Sequence, residues 1–442
     1  MSNKKNISIF WHRRDLRLHD NAGAYNALKS DFPVLPLFIF DKNILDKLDN
    51  KEDARVHFIY KNIQKLQTQL TDMGSSLLVK YGQPLEIWKE ILDDYEVKEV
   101  YTNRDYEPYA QERDKSVYEL LKEKDISFKG AKDQVIFDKN EVTKDDGKPY
   151  TVYTPYSRKW RAALTDDHLK SYPNNDCFNN YLKTKPLPLP TLSDMGFKLS
   201  EADFPDKEFD EDIVEQYAER RNFPGIQSTT RLGVHLRFGT ISIRQLAAYA
   251  KEHSDTFLNE LIWRDFYHMI LYHFPHVKDN AFRAKYDTIP WVNNEAHFKA
   301  WCEGKTGYPM VDAGMRELNE TGFMHNRVRM VVASFLTKHL LTDWRWGEAY
   351  FAEKLLDFDL AANNGGWQWA AGSGCDAAPY FRVFNPTSQF DKFDKDRTYV
   401  NKWVPEWETA EYPKPIVEHK FARQRAIDTY KEALSNWQEA QS

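Results

Sequence analysis

Between residue 7 and about residue 137, short apolar runs alternate with longer amphipathic stretches. The runs are "ISIFW", "PVLPLFIF", "SSLLVKYG", "VKEVYTN" and "VIF". Between the second and third lies "DARVHFIYKNIQKLQTQL", whose apolar residues recur at helical spacing. Strand and helix in alternation predict a parallel sheet covered on both faces. Further on, "YLKTKPLPLPTLSDMG" carries Pro186, Pro188 and Pro190, which forbid helix and favour an extended linker. This places a domain boundary between about 140 and 200. Beyond it the pattern is helical, as in "TFLNELIWRDFYHMILYHF" and "RVRMVVASFLTKHLL". The expectation is an α/β domain followed by a mostly α domain, with no internal repeat.

Composition narrows the class. A chain of 442 residues exceeds what one core usually serves, and 41% hydrophobic with 29% charged residues describes a folded, soluble protein. The apolar run before Arg13 and Arg14 is too short for a signal peptide or a membrane span, so a cytoplasmic protein is expected. Cys177, Cys302 and Cys375 form no C-x-x-C pair, which argues against disulfides and a zinc site. Ten of the thirteen tryptophans fall between Trp263 and Trp437. Residues 201–219 hold nine acids and one lysine, whereas 220–250 hold Arg220, Arg221, Arg231, Arg237 and Arg244 and no acid. That contrast reads either as a cationic patch for an anion or as solvated helix faces.

Four stretches offer chemistry. In "GIQSTTRLGVHLRFG", Ser228, Thr229, Thr230 and Arg231 stand where a helical pattern begins, as phosphate ligands or as plain helix caps. In "NELIWRDFY", Glu260, Trp263, Arg264 and Tyr267 share one helical stripe, as a lined cavity or as a buried ion pair. "MHNRVRM" places Asn326, Arg329 and Met330 on one face. In "LLDFDLAANNGGWQWAAG", Asp357 and Asp359 precede Asn363, two glycines and two tryptophans. The chain contains no G-x-G-x-x-G after the first strand, no H-E-x-x-H, no G-x-S-x-G and no Walker loop, which removes support for nicotinamide, zinc-protease, hydrolase and P-loop chemistry. A Trp-rich polar cleft without acid-base machinery suggests that a bound cofactor does the chemistry.

The strings "FWHRRDLRLHDN", "NELIWRDFY", "TGYPMVDAGMREL", "GFMHNRVRM" and "LLDFDLAANNGGWQWAAGSGCDAAPYFRVFNP" together resemble the photolyase/cryptochrome family, most nearly its cyclobutane pyrimidine dimer photolyases, from about residue 7 to about 408. The resemblance implies an α/β antenna domain at 1–137, a linker at 138–202 and a helical FAD-binding domain at 203–442. It implies FAD, active as FADH⁻, contacted by Tyr217, Thr229, Thr230, Arg231, Leu232, Arg264, Arg329, Asp357, Asp359 and Asn363. Gly233 stands where many relatives have Ser, so one phosphate hydroxyl is missing.

By the same resemblance Glu260, Trp263, Asn326, Met330 and Trp369 surround a flipped-out pyrimidine dimer. Trp367, Trp344 and Trp291 form an electron-transfer chain, and Arg327 and Arg382 meet DNA phosphates, with the 220–250 arginines adding to that surface. Gly365 and Gly366 let backbone approach the flavin. The partner implied is UV-damaged DNA, bound by a monomer with no obligatory protein partner. Asn326 and Met330 replace the two histidines of (6-4) photolyases, and only about 35 residues follow the matched region, which disfavours a cryptochrome signalling tail. "NRDYEPYAQERD" lacks the polar pair of folate-binding relatives, so an antenna chromophore is left without an identity.

Overall fold

A computed structural model describes residues 5–441, which fall into two compact units. The first comprises the chain up to Asp138, Leu164–Lys207 and Leu232–Tyr249. The second comprises Lys139–Ala163, Glu208–Arg231 and the chain from Ala250 onward.

The first unit is built on five parallel strands, β1 (Asn6–His12), β2 (Val34–Asp41), β3 (Leu78–Gly82), β4 (Glu96–Asn103) and β5 (Ser127–Ala131), in the order β3-β2-β1-β4-β5. Every residue of β2 and all but the first of β1 are buried, as expected for a sheet with helices on both faces. Ala54–Asp72 forms the predicted amphipathic helix, capped by Asp53. Four of the five apolar runs are strands. The fifth, Val135–Ile136–Phe137, is buried but irregular, and the last strand is "SFKGA" instead. That strand lies at the sheet edge and is largely exposed, so it has no apolar run to betray it.

Two arginines of the 220–250 segment are internal to this unit. Arg244 is buried and pairs with Asp20 and Asp133, and Arg237 pairs with Glu107. Both are neutralised by carboxylates distant in sequence, buried ones for Arg244 and the partly buried Glu107 for Arg237, and so do not form a free cationic surface.

The second unit is helical. Its core gathers Trp301, Trp344, Trp367 and Trp403 with the apolar faces of helices Pro309–Thr321, Asn326–Ser334, Trp344–Lys354 and Leu360–Ala371. Glycine permits the closest approach: a Cβ on Gly347 would lie 2.1 Å from the Trp367 ring. No helix among the described residues is long and apolar enough to cross a membrane.

Candidate functional site

Helix Asp255–His273 starts at Ser254, whose hydroxyl accepts from the Phe257 N–H. Glu260 and Trp263 follow one and two turns in. Glu260 is ion-paired with Arg221, and both side chains are about one third exposed. Burial raises the Glu260 pKa and the Arg221 cation works against it. Tyr217 joins this group: the Arg221 guanidinium lies 5.7 Å from its ring centroid, and burial followed by the nearby Glu260 raises its phenol. The stripe read from the sequence is therefore neither fully buried nor solvated. It is a half-covered mouth in which the cation comes from a loop 39 residues earlier.

Helix Asn326–Ser334 brings the next group. His325 caps it, its imidazole accepting from the Arg327 N–H. Arg327 donates to the Asn222 side chain at 2.6 Å and lies over the Phe393 ring at 4.4 Å. Its pKa is lowered by burial and then by two cations, Arg221 and Arg382, so three arginines share one neighbourhood. Asn326 is exposed and Met330 half-buried. Arg329 donates to both oxygens of Asp357, at 3.1 and 2.9 Å, which brings that predicted pair together.

Helix Leu360–Ala371 explains its two indoles by its two faces. Asn363, Gly366 and Trp369, three residues apart, are exposed or half-buried, whereas Asn364, Trp367, Gln368 and Ala371 are buried. Trp367 meets Phe351 and Trp301 edge-on, at 5.0 and 6.1 Å. Trp369 faces Phe384 at 6.5 Å. Trp344 is buried in the same core as Trp367, and half-buried Trp291 packs against that core. Asp359 caps the helix, accepting from the Ala361 and Ala362 N–H groups. The Asn363 amide donates to Glu348 at 2.9 Å.

Two readings change. A Cβ on Gly365 would lie 2.3 Å from the Tyr267 ring, so this glycine makes room for a neighbouring helix; only at Gly366, with nothing within 4 Å, is the backbone open to a ligand. The Ser228–Arg231 segment precedes the short helix Gly233–Phe238, whose cap position, Leu232, makes no side-chain bond. Thr229 and Thr230 are half-buried and do not cap. Ser228 donates to the Phe223 carbonyl. Arg231 is left-handed (φ 55°), lies 4.2 Å over Phe323 and sits 4.0 Å from Glu317. Leu232 is buried and falls in the first unit. Arg264 is half-buried, its carbonyl accepting from His268, and Arg382 is exposed.

Sequence reasoning left four contributors without a role: Arg221 as the partner of Glu260, His325, Glu317 and Tyr153. His325 and Glu317 lay inside quoted motifs; for His325, its position just before a helical run was the available signal.

Two family models match the chain, DNA photolyase over residues 8–174 and the FAD binding domain of DNA photolyase over residues 257–411. A deoxyribodipyrimidine photo-lyase of Synechococcus sp. is 38% identical, the alignment covering 94% of this chain and 95% of the relative. A bacterial class III photolyase from Agrobacterium tumefaciens superposes with a TM-score of 0.84 at 32% identity, over 98% of each chain. An archaeal photolyase from Sulfolobus tokodaii, solved with two FAD molecules, superposes at 0.80 with 33% identity, over 97% of this chain and all of that one. With both halves matched and near-complete coverage of these relatives, the chain belongs to the DNA photolyase family.

Proposed function

We propose that this protein is a deoxyribodipyrimidine photo-lyase that uses light to split cyclobutane pyrimidine dimers in DNA. The observation that carries the reading is the arrangement at the site mouth: a carboxylate and an indole, Glu260 and Trp263, on one helix face, with Arg221 paired to Glu260 and Arg327 within electrostatic reach of both Arg221 and Arg382. An acid and an aromatic face suit the polar edges and apolar faces of a flipped-out pyrimidine dimer. The arginines suit the phosphates around it.

The residues present fit FAD. Gly366 leaves a backbone face that a Cβ would fill, and Arg329 with Asp357 offers a cation and a carboxylate to the polar edge of a flavin. When bound in its reduced form, FADH⁻, the flavin would supply a light-driven electron for opening the cyclobutane bonds and would recover it afterwards, with no net redox change. Arg231, Thr229 and Thr230 hold the pyrophosphate, and Tyr217, Arg264 and Asp359 hold the rest of the dinucleotide. Asn363, non-ionisable and oriented by Glu348, keeps the flavin environment polar without supplying an acid. Glu260 hydrogen-bonds the dimer bases, Trp263 and Trp369 pack on their apolar faces, and Asn326 and Met330 meet their edge. Trp367, Trp344 and Trp291 carry electrons inward from the surface. The protein acts as a monomer in the cytoplasm.

The test is an absorption spectrum of the purified protein, which also reports any second chromophore, followed by blue-light repair of a thymine-dimer oligonucleotide under reducing conditions. A (6-4) oligonucleotide runs in parallel. Restored thymine from the cyclobutane substrate alone is expected. Bound flavin with neither lesion repaired would overturn the reading in favour of a light sensor.

A further inference from the structure

Trp263 does not present two free faces. Its indole is stacked face to face on Tyr153, with ring centroids 3.5 Å apart and planes 4° from parallel. Phe266 meets it edge-on at 5.7 Å, and Tyr267 leans on it at 5.5 Å. Tyr153 opens the helix Tyr153–Ala163 and is itself 7% exposed.

Three contacts pin Tyr153. Its hydroxyl lies 2.9 Å from the carbonyl and 2.7 Å from the side-chain oxygen of Asn259, one turn before Trp263 on the same helix. Its backbone N–H donates to Asp376 at 3.0 Å, in the loop that follows the Trp369 helix. Its ring meets Phe266 edge-on at 5.8 Å. A ring this constrained is a platform, not a mobile cover: to leave the indole it would have to break its hydroxyl bonds to Asn259 and its edge-on contact with Phe266, while the Asp376 bond fixes the backbone from which it projects.

We propose that Tyr153 is a positioning residue for substrate recognition: it backs one face of Trp263, fixes the tilt of the indole, and leaves the opposite face as the single surface offered to the pyrimidine dimer. This rests on the reading of the protein as a dimer-splitting photolyase. A half-buried indole held only by its own side-chain torsions would sample several tilts, and each dimer bound would have to select one. Pre-stacking removes that freedom before binding, so the gain appears in affinity for the lesion and not in affinity for phosphate.

The test is the ratio of dissociation constants for undamaged and thymine-dimer duplexes, measured on the flavin-loaded enzyme in the dark. The wild type, Tyr153→Leu, Tyr153→Phe, Trp263→Ala and the Tyr153→Leu/Trp263→Ala double variant are compared. Tyr153→Leu should lower the ratio by roughly 3- to 10-fold, through weaker binding of the dimer duplex alone, the range expected for loss of one aromatic pair. Tyr153→Phe, which keeps the stack and loses the Asn259 bond, should lower it by no more than about 2-fold. In the Trp263→Ala background, Tyr153→Leu should have no further effect, because the residue acts through the indole.

An equal loss with Trp263 present and absent, or equal weakening on both duplexes, would overturn the proposal. Should Tyr153→Leu not fold, Tyr153→Met, which also removes the aromatic stack, replaces it in the same two backgrounds with the same expected loss, and an effect that survives removal of Trp263 overturns the proposal equally. A wild-type enzyme that does not distinguish the duplexes refutes the photolyase reading itself, an outcome separate from either of these.

Discussion

Glu260 and Arg221 form an ion pair across 39 residues of sequence, at the mouth of a cleft where burial alone would hold the carboxyl protonated to higher pH. Arg221 opposes that shift, so the pair sets the pH at which Glu260 becomes a carboxylate. Arg221→Met should move the acid limb of the repair-against-pH profile to higher pH. A series of repair rates on a thymine-dimer oligonucleotide reads this; a limb that stays in place would show that Glu260 does not govern it.

Adjacent glycines in the Leu360–Ala371 helix should respond in opposite ways to the same substitution. Gly365→Ala drives a methyl into the Tyr267 ring and should destabilise the protein by about 1–3 kcal/mol. Gly366→Ala meets nothing and should stabilise the flavin-free protein by up to about 1 kcal/mol through helix propensity, while lowering the FAD it retains. Urea unfolding and the flavin-to-protein absorbance ratio measure the two effects. Full flavin retention in Gly366→Ala would remove the open backbone face from the binding site.

Trp367 is buried against Phe351 and Trp301, away from the half-exposed face that carries Trp369. Trp367→Phe should therefore slow photoreduction of the oxidised flavin while chemically reduced enzyme still repairs DNA. Flash photolysis and a repair assay on dithionite-reduced protein separate the two. Equal loss of both would count against a relay role.

His325 should make the protein acid-sensitive. Burial, followed by the cations Arg329, Arg327 and Arg231, lowers its pKa to about 4, while the unfolded chain titrates near 6.5. The neutral imidazole is also the acceptor that caps the Arg327 N–H. Its stabilisation is complete above about pH 6.5 and drains away as pH falls toward 4, because the unfolded state then binds the extra proton, to a limit of about 3 kcal/mol. His339, lowered to about 3, adds the same sign. His325→Asn keeps a capping side chain and removes the titration, so its urea midpoint should fall less than that of the wild type between pH 7 and pH 5. Parallel curves would assign the acid sensitivity elsewhere.

Periodicity reached far into this fold because burial imposes it. Strands buried on both faces, such as β1 and β2, must be continuously apolar, and the helices must carry a stripe. The exposed edge strand Ser127–Ala131 has no such obligation, and the apolar Val135–Phe137 run was the nearer decoy. Local spacing also placed Glu260 beside Trp263, since side chains three to four residues apart share a helix face.

What spacing could not supply was which groups meet across long separations. Arg221 reaching Glu260, Arg329 reaching Asp357, Tyr153 lying under Trp263, and Arg244 turning inward to Asp20 and Asp133 are decided by how helices and loops pack. The same holds for Gly365 and Gly366, identical in sequence and adjacent. One is filled by a ring from another helix and the other is open, a distinction that exists only once the helices are in contact. The chain by itself determined its elements and the residue types at the site; the tertiary structure decided their partners, because a hydrogen bond or an ion pair depends on distances of a few ångströms that no single segment contains.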